Sequence, residues 1–360
     1  MRIVVDVNHP GQVHYYRHFI REMEKRGHDV LITASEKEVS YRLLDRFGFR
    51  YVRLGSYGDS LFRKMVSFFL LELRMIDAAR RFGPDVFVSH ASVRTGLASR
   101  LLGKKNITFD DTEHAKSIHM LFEPFSDVIL TPLFYKKDLG GRHLRFDGFS
   151  QLASTHPNYF RPDPSVLDDL GLGIDEIFTV VRLVSWNASH DVGHHGIRDR
   201  LRAVRELERL GRVFVSAEGR LGPELERYRL RIAPEKLHDL LYYSSLCFSE
   251  GGTTAIEAAL LGTHAIHVSS TAKYCGVFDD LNRYGLLWIS EDSGESLRRA
   301  GELLSTPGIK EQGREKLKRL LGDKIDVTQF MVWFVEHYPE SYREMKARPE
   351  IQYQFRGNAR

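Results

Sequence analysis

The stretch LCFSEGGTTAIEAALLGTHAIHVSS, residues 246–270, predicts a strand, a turn, a helix and a second strand. The pair Gly251 and Gly252 permits a tight turn and the close approach of a ligand to the backbone, and Gly262 ends the helix that follows. A glycine-rich turn that opens a helix presents backbone N–H groups and the positive end of the helix dipole, which suit a phosphate. The stretch therefore predicts an α/β domain with a phosphate site.

An acidic residue lies one turn into the same helix. Glu257 would repel a phosphate that it faced, but its carboxylate would accept hydrogen bonds from ribose hydroxyls. The alternative is an ordinary strand-to-helix turn with Glu257 on the surface. The residues alone leave both interpretations open.

Strands and helices alternate along the whole chain, which indicates βαβ units and parallel sheets. A chain of 360 residues is longer than a typical single core requires. We therefore predict an α/β protein with two doubly wound Rossmann-like domains facing across a cleft. The domains are residues 1–150 and residues 165–325, with a linker in the proline-containing residues 148–164.

The composition excludes several classes of protein. The 52 basic and 48 acidic residues give a net charge of +4, which is too balanced to indicate nucleic acid but suits an anionic small ligand or an acidic membrane surface. Two cysteines provide neither a disulfide framework nor a zinc set. The first apolar run is too short for a signal peptide, so we expect a cytoplasmic protein.

Ligands of doubly wound sheets bind outside the carboxyl ends of the strands, so the loops after the strands hold the candidate site residues. In residues 6–16, DVNHPGQVHYY, Gly11 supplies the turn, and His9 and His14 lie on either side of it. His14 is a candidate catalytic base or phosphate ligand. The alternative is that His14 packs against the start of the helix.

Three carboxylates crowd the loop FDDTEH, residues 109–114. Asp110, Asp111 and Glu113 repel one another, which should raise the pKa of at least one of them and favour a general acid or base. Helix capping explains Asp111 and Glu113 equally well, but it does not require Asp110. Asp110 and Asp111 are therefore catalytic candidates beside His14.

Another polar loop, SHASVRT, follows the preceding strand. Ser92 is predicted to cap a helix. His90 and Arg94 could contact a ligand, but the prediction that we prefer places both on the surface.

Two loops of the second domain add binding candidates. In SWNASHDVGHH, residues 185–195, Asn187 is a candidate substrate contact. The histidines there lie in a loop rather than on one face of a helix, so we expect no metal site. In SAEGR, residues 216–220, Arg220 is a candidate phosphate contact.

Several common motifs are missing from the sequence. It contains no GxxxxGK[ST] loop, no GxSxG elbow and no GxGxxG after the first strand, which argues against P-loop nucleotidases, α/β-hydrolases and Rossmann dehydrogenases. It contains no Asp-x-Asp triplet, so carboxylate-chelated Mg²⁺ or Mn²⁺ is not indicated.

The spacing of Gly251, Thr254 and Glu257 in EGGTTAIEA resembles the donor motif G-x-x-T-x-x-E of GT-B glycosyltransferases, closest to that of the peptidoglycan N-acetylglucosaminyltransferases. It also resembles the S-G-G…E-E motif of UDP-N-acetylglucosamine 2-epimerases, which share the fold. The opening HPGQVHYYRHFIREMEKRGHDV looks like the first βα unit of these enzymes. Over nearly its full length, the chain resembles a domain-of-unknown-function branch of predicted glycosyltransferases.

The resemblance implies roles for individual residues. It implies that Glu257 holds the ribose of a nucleotide sugar. It implies that four residues line the diphosphate, namely Gly251, Gly252, Thr253 and Thr254. It also implies that residues 326–360 form a helix that returns to the first domain, followed by a tail.

The sequence departs from the epimerase pattern in two places. Epimerases carry acidic residues where this chain has Asp110, Asp111 and Glu123. Their His-Arg motif is not preserved, since SWNASH stands at residues 185–190, and Glu250 replaces a Ser or Asp before the glycines. Both departures weaken an epimerase assignment.

We therefore expect a metal-independent glycosyltransferase that uses a nucleotide diphosphate sugar, by preference a UDP-sugar, without a further cofactor. The acceptor would be a sugar or a lipid-linked molecule. One alternative is a 2-epimerase or nucleotide-sugar hydrolase, and another is a non-catalytic nucleotide-sugar-binding protein.

The predicted helix at residues 61–82 mixes apolar residues with Arg63, Lys64, Arg74, Arg80 and Arg81. A peripheral contact with the inner face of a membrane would suit a lipid-linked acceptor. The alternative is an amphipathic helix buried in the domain.

Overall fold

The structure is a computed structural model, and it describes residues 1–58, 60–113, 116–185, 195–217 and 219–357; for residues 61, 62, 64 and 116–118 it describes the backbone alone. The chain divides into two compact units. Unit 1 comprises Met1–Ser154 and Lys324–Gly357, and unit 2 comprises Thr155–Asp323. The predicted α/β class, with a parallel sheet in each unit, is confirmed.

Seven parallel strands form the sheet of unit 1: β1 (Arg2–Val7), β2 (Asp29–Ser35), β3 (Tyr51–Gly55), β4 (Val86–His90), β5 (Lys105–Phe109), β6 (Val128–Pro132) and β7 (His143–Phe146). Their order in the sheet is β3-β2-β1-β4-β5-β6-β7. In β1, Ile3, Val4 and Val5 are fully buried, as expected for a parallel strand that is covered on both faces.

The helices that connect these strands are α1 (Pro10–Lys25), α2 (Ser40–Arg46), α3 (Leu61–Phe82), α4 (Val93–Leu101), α5 (Lys116–Phe122) and α6 (Leu152–Thr155). Ser60 is the N-cap of α3, and its side chain accepts a hydrogen bond from the N–H of Arg63; Gly83, with φ +66°, is the C-cap. No helix in the described ranges combines the length and the apolar character needed to cross a membrane.

Five parallel strands form the sheet of unit 2, in the order β12-β11-β10-β8-β9: β8 (Phe178–Leu183), β9 (Arg212–Ala217), β10 (Leu246–Ser249), β11 (His264–Val268) and β12 (Leu287–Ser290). The helices of this unit are α7 (Ser165–Asp168), α8 (Arg200–Glu208), α9 (Pro223–Glu226), α10 (Leu237–Tyr243), α11 (Gly252–Leu260), α12 (Gly276–Arg283), α13 (Ser293–Leu304) and α14 (Ile309–Asp323).

The stretch at residues 246–270 folds as predicted, as β10, α11 and β11. α11 ends before Gly262, whose φ of +82° favours glycine. α14 packs directly on this turn, because a Cβ built on Gly313 would lie 2.0 Å from the carbonyl oxygen of Gly262. Glycine at both positions therefore brings α14 onto the end of α11.

The chain returns to unit 1 through α15 (Val327–Glu336) and α16 (Glu340–Ala347). α15 packs against α1 and buries Phe330 and Phe334. Beyond α16, the side-chain oxygen of Gln352 accepts a hydrogen bond of 2.6 Å from the N–H of Asp147. Lys324 Nζ lies 2.9 Å from the Asp147 carboxylate, so polar contacts also anchor the returning segment.

Candidate functional site

The carboxyl ends of β8, β10 and β11 lie at one edge of the unit 2 sheet, and residues 249–254, here called the glycine turn, begin at that edge. Gly251 is the N-cap of α11, and no side chain caps the helix. Ser249 Oγ accepts a hydrogen bond of 3.0 Å from the N–H of Gly251, one residue before the helix. The first-turn N–H groups of α11 are thus presented with the positive end of the helix dipole, the arrangement that binds phosphates.

Both glycines of the turn lie close to neighbouring side chains. A Cβ built on Gly251 would lie 3.3 Å from Cγ1 of Val184. A Cβ on Gly252 would lie 3.0 Å from Cζ of Phe278 and 3.6 Å from Nε2 of His267. A larger residue at either position would have to displace these neighbours by a few tenths of an ångström, so the turn is closely packed on its protein side.

Glu257 is buried, with 7% of its surface exposed, and its Oε1 lies 3.2 Å from Nε2 of His238 on α10. The alternative that placed Glu257 on the surface is wrong, because α10 packs against α11 and covers this side chain. Thr254 is also buried, whereas Thr253 is exposed in the first turn. The imidazole fixes the orientation of a carboxylate that can accept hydrogen bonds from hydroxyl groups.

One cationic residue next to the glycine turn was not predicted from the sequence. Arg182 lies in β8, its Nη1 donates to Oγ of Ser216 at 3.0 Å, and its Cγ lies 3.5 Å from a Cβ built on Gly251. An arginine inside the apolar run FTVVRLV is the signal that could have revealed it. Arg220 is exposed beyond the end of β9, and Asn187 lies outside the described residues.

Glu250 forms hydrogen bonds with residues on both sides of the loop at residues 185–195. Its carboxylate accepts hydrogen bonds from the N–H of Val184 at 2.9 Å and from the N–H of Ile197 at 3.0 Å. Arg200 donates to the same carboxylate at 2.7 Å and to the carbonyl oxygen of Val184 at 2.8 Å. Glu250, which stands where the epimerases have Ser or Asp, therefore fixes the ends of this loop at the edge of the sheet.

His267 packs behind the glycine turn as a neutral imidazole. Burial lowers its pKa to about 4, although the carbonyl oxygen of Ser249, 3.1 Å from Nδ1, opposes the shift. Its ring lies 4.7 Å from the ring of Phe278. The imidazole thus supports the turn at neutral pH without adding a charge to it.

In unit 1, His90 and Asp111, here called the His–Asp pair, meet at the carboxyl ends of β4 and β5. Asp111 Oδ1 lies 3.3 Å from Nε2 of His90, and Gln151 donates to Oδ2 at 3.3 Å. Burial alone would raise the pKa of Asp111, but the charge of His90 and hydrogen bonds from His90, Ser150 and Thr112 lower it to about 2.

The pKa of Asp111 is therefore not the one that crowding raises, because the charge of His90 and the hydrogen bonds to the carboxylate outweigh burial. Burial is the largest single influence on His90 and would lower its pKa, but the charge of Asp111, the hydrogen bond to Asp111 and the charge of Asp110 together raise the pKa. The prediction that His90 lies on the surface is also wrong, since its side chain is 14% exposed.

Asp110 is buried in a separate set of contacts. The hydroxyl of Tyr135 donates to its Oδ2 at 2.7 Å, and Nε2 of His119 lies 3.1 Å from the same oxygen. The N–H of Thr112 donates to Oδ1 at 3.2 Å. Burial, followed by the charge of Asp110, raises the pKa of Tyr135, so the tyrosine remains a donor. Glu123 joins the group through His119, 3.6 Å away.

Side-chain atoms of His90, Asp110 and Asp111 all lie within 4.8 Å of one another. This is a donor set that could hold a divalent cation, at a place where the sequence predicts no metal. Each of the three side chains also has protein partners, and Asp111 is held as a carboxylate by His90. The same set can move a proton without a metal.

Arg94 is 2% exposed, so the prediction that it lies on the surface is wrong. Nη2 of its guanidinium donates to both oxygens of the buried carboxylate of Asp6, at 3.0 and 3.2 Å. Asp6 also accepts hydrogen bonds from Thr33 at 2.9 Å and from Ser92 at 2.7 Å. Ser92 caps α4, as predicted. The polar residues bind one another and hold the starts of these loops in place.

The remaining candidates of unit 1 lie in α1. Gly11 is in the first turn of the helix rather than in a turn before it, because His9 caps α1 and accepts the N–H of Gly11 at 3.1 Å. His14 is half-buried and lies edge-on to Phe47 at the end of α2, with 5.7 Å between ring centres, rather than against the start of its own helix. Tyr15, one residue further on, lies edge-on to His90 at 5.5 Å. Its buried hydroxyl has no hydrogen-bond partner among the described residues.

Comparisons with known proteins place the chain in a family. The model of a family described as "Protein of unknown function (DUF354)" matches residues 1–333. An uncharacterised protein of Methanocaldococcus jannaschii is 26% identical over 271 residues, which are 72% of this chain and 79% of that protein.

Solved structures share the architecture. The UDP-GlcNAc 2-epimerase of Neisseria meningitidis, bound to UDP-GlcNAc, is 12% identical with a TM-score of 0.65, covering 87% of this chain and 94% of that one. A Streptomyces glycosyltransferase is 14% identical with a TM-score of 0.58, covering 94% of this chain and 100% of that one. The chain belongs to the DUF354 family and has the GT-B fold that glycosyltransferases and UDP-GlcNAc 2-epimerases share.

Proposed function

We propose that this protein is a glycosyltransferase that takes a sugar from a nucleotide diphosphate sugar. The observation that carries the proposal is the first turn of α11, where no side chain caps the N–H groups, with Glu257 buried one turn further along and held by His238. The N–H groups that would bind an anion and the carboxylate that would bind hydroxyls then lie about one helical turn apart, which suits the phosphates and the ribose of a nucleoside diphosphate. One solved relative of the same fold is bound to UDP-GlcNAc, which supports a UDP-sugar.

In this proposal, backbone groups hold the donor in unit 2. Gly251 supplies the turn, the first-turn N–H groups from Gly252 to Thr254 bind the diphosphate with the hydroxyls of Thr253 and Thr254, and Glu257 binds the ribose hydroxyls. Arg182, Arg220 and Asn187 are further candidates for the phosphates and the sugar.

The helix also contributes to the chemistry. When the bond between the sugar and the diphosphate breaks, negative charge develops on the leaving diphosphate. Fixed N–H dipoles at the end of α11 stabilise that charge without reorganisation, and they can do so without a metal. We therefore keep metal independence as part of the proposal.

In this proposal, the His–Asp pair of unit 1 removes the proton from the acceptor hydroxyl. A carboxylate with a pKa of about 2 is a weak base, so Asp111 acts by orienting His90 and raising its basicity. Nε2 of His90 faces Asp111, which leaves Nδ1 to take the acceptor proton. His14 and Asp110, the other catalytic candidates, lie in α1 and beside Tyr135.

A second candidate function is 2-epimerisation or hydrolysis of the nucleotide sugar. The observation that favours it is the group of Asp110, His119 and Tyr135, in which an acid, an imidazole and a phenol share hydrogen bonds. Such a group can remove a proton from a substrate and return one. The departures at residues 185–190 and at Glu250 argue against it.

Incubation with UDP-GlcNAc, followed by NMR, separates these functions. A transferase releases UDP only when an acceptor is present, an epimerase converts the sugar without an acceptor, and a hydrolase releases UDP and free sugar without one. Binding without turnover over a panel of donors and acceptors would contradict catalysis and favour a nucleotide-sugar-binding protein. A lipid-linked acceptor would also require the protein to reach a membrane surface.

A further inference from the structure

Helix α3 has two apolar faces, and only one of them is used by the fold. Leu71, Met75 and Ala79 are buried in the core of unit 1 with Val4 and Phe87. The second face is formed by five side chains that are 41–63% exposed: Met65, Val66, Phe69, Leu70 and Leu73. A helix that serves only to cover a sheet would have polar residues there.

The five exposed residues form one continuous stripe. Positions 65, 66, 69, 70 and 73 follow one another at helical spacing, and they lie across the helix from positions 71, 75 and 79. The next helices of the unit carry further exposed apolar side chains, Leu101 at 70% on α4 and Met120 at 73% on α5. α3, α4 and α5 pack side by side in that order.

This part of the unit is strongly basic. Residues 61–105 contain nine Lys and Arg but three Asp and Glu. Of these acids, Glu72 is buried and Asp77 is paired with Arg81 at 2.5 Å. The exposed cations next to the stripe include Arg63, Arg80 and Arg100. A second copy of the same face would therefore be repelled by like charge, whereas a negatively charged surface would be attracted.

We propose that the exposed stripe of α3, with the cations around it, binds the surface of an anionic lipid bilayer. The apolar side chains enter the boundary between headgroups and acyl chains, and the arginines bind lipid phosphates. α3 would lie in the plane of the membrane surface, because no described helix is suited to span it. The inference is independent of the proposed donor site, which lies in unit 2.

The test is flotation of the full chain with vesicles of phosphatidylcholine, with and without phosphatidylglycerol. The wild type is expected to bind only the anionic vesicles and to be released by salt. The variant Phe69→Ser with Leu73→Ser is expected to bind on the order of tenfold more weakly. The matched control, Ile174→Ser with Ile177→Ser, removes two exposed apolar residues of unit 2 and is expected to bind like the wild type.

A charge-reversed variant, Arg63→Glu with Arg80→Glu, tests the electrostatic part and is also expected to lose binding to the anionic vesicles. Circular dichroism and an unchanged midpoint of thermal unfolding check that each variant is folded. Failure of the wild type to bind anionic vesicles at low salt would overturn the proposal. If the wild type does not bind vesicles but forms a dimer, and the substitutions of Phe69 and Leu73 convert that dimer into monomers, then a second copy covers the stripe and the proposal is wrong.

Discussion

The carboxyl edges of the two sheets have opposite electrostatic characters. In unit 2 the glycine turn offers backbone N–H groups, His267 is neutral, and the carboxylate of Glu250 is already bound. In unit 1 the corresponding edge holds the buried ion pair of Asp6 and Arg94 and the His–Asp pair. Similar parallel sheets therefore provide two kinds of site, one suited to hold an anion and one suited to move a proton.

The largest expected effect is on the rate of sugar transfer, in which the His–Asp pair at the unit 1 edge is proposed to act. His90→Gln is expected to lower the rate of sugar transfer by about 10²- to 10⁴-fold, because the acceptor proton loses its base. Affinity for UDP should change by less than about twofold, since binding is assigned to unit 2. His337→Gln, on an exposed histidine of the same unit, is the control. Equal losses of UDP affinity and turnover in His90→Gln would remove the functional contrast between the edges.

The second effect is on the stability of unit 1. Arg94→Leu leaves the carboxylate of Asp6 buried without its cation and is expected to lower the free energy of unfolding by about 3–5 kcal/mol. Arg81→Leu breaks an exposed pair with Asp77 and should cost less than about 1 kcal/mol. Urea denaturation of both variants measures the difference. Similar values for the two would show that burial of the Asp6 pair is energetically unimportant.

The third effect concerns the glycine turn. Gly252→Val places side-chain atoms against Phe278 and over the first turn of α11, so UDP affinity should fall by about tenfold or more. Gly322→Val, on the exposed surface of α14, where an added Cβ has no atom within 4 Å, is the matched control and is expected to retain the affinity. Isothermal titration calorimetry compares them. Retention of wild-type affinity by folded Gly252→Val would contradict phosphate binding at this turn.

The smallest expected effect is a pH dependence of stability from the His–Asp pair. The pKa of Asp111 falls from 3.8 to about 2, which corresponds to about 2 kcal/mol of stability that is present above pH 3.8 and lost as the pH falls towards 2. The pKa of His90 is raised, so its contribution is present below 6.5 and is lost as the pH rises through the raised value. Asp111→Asn should therefore be most destabilising between about pH 4 and 6.5. A difference from wild type that is constant with pH would exclude an ionised pair.

The contrast between the edges also explains what could be predicted from the sequence. The glycine turn is local, since its glycines and Glu257 lie within seven residues and the helix follows the glycines directly, so chain order alone predicts them. The strands were predictable because buried parallel strands are runs of apolar residues. β7, at four residues with only alternate positions buried, was too short and too weakly apolar to be recognised.

The unit 1 edge depends on residues that are distant in the sequence. Arg94 was misplaced because its partner Asp6 is 88 residues away, and an arginine without a visible partner is expected on the surface. The His–Asp pair depends on the register of β4 against β5, which sets His90 opposite Phe109 and thereby beside the loop of Asp111. Sequence reasoning identified the carboxylates but not the imidazole that sets the pKa of Asp111.

The most direct test of the central claim is the affinity of Glu257→Ala for UDP, measured by isothermal titration calorimetry beside Glu302→Ala, an exposed acid on α13. Loss of the ribose hydrogen bonds to a charged group predicts a dissociation constant about 10- to 100-fold above that of the wild type for Glu257→Ala and no change for the control. Unchanged UDP affinity in folded Glu257→Ala would contradict the assignment of α11 as the nucleotide-sugar site.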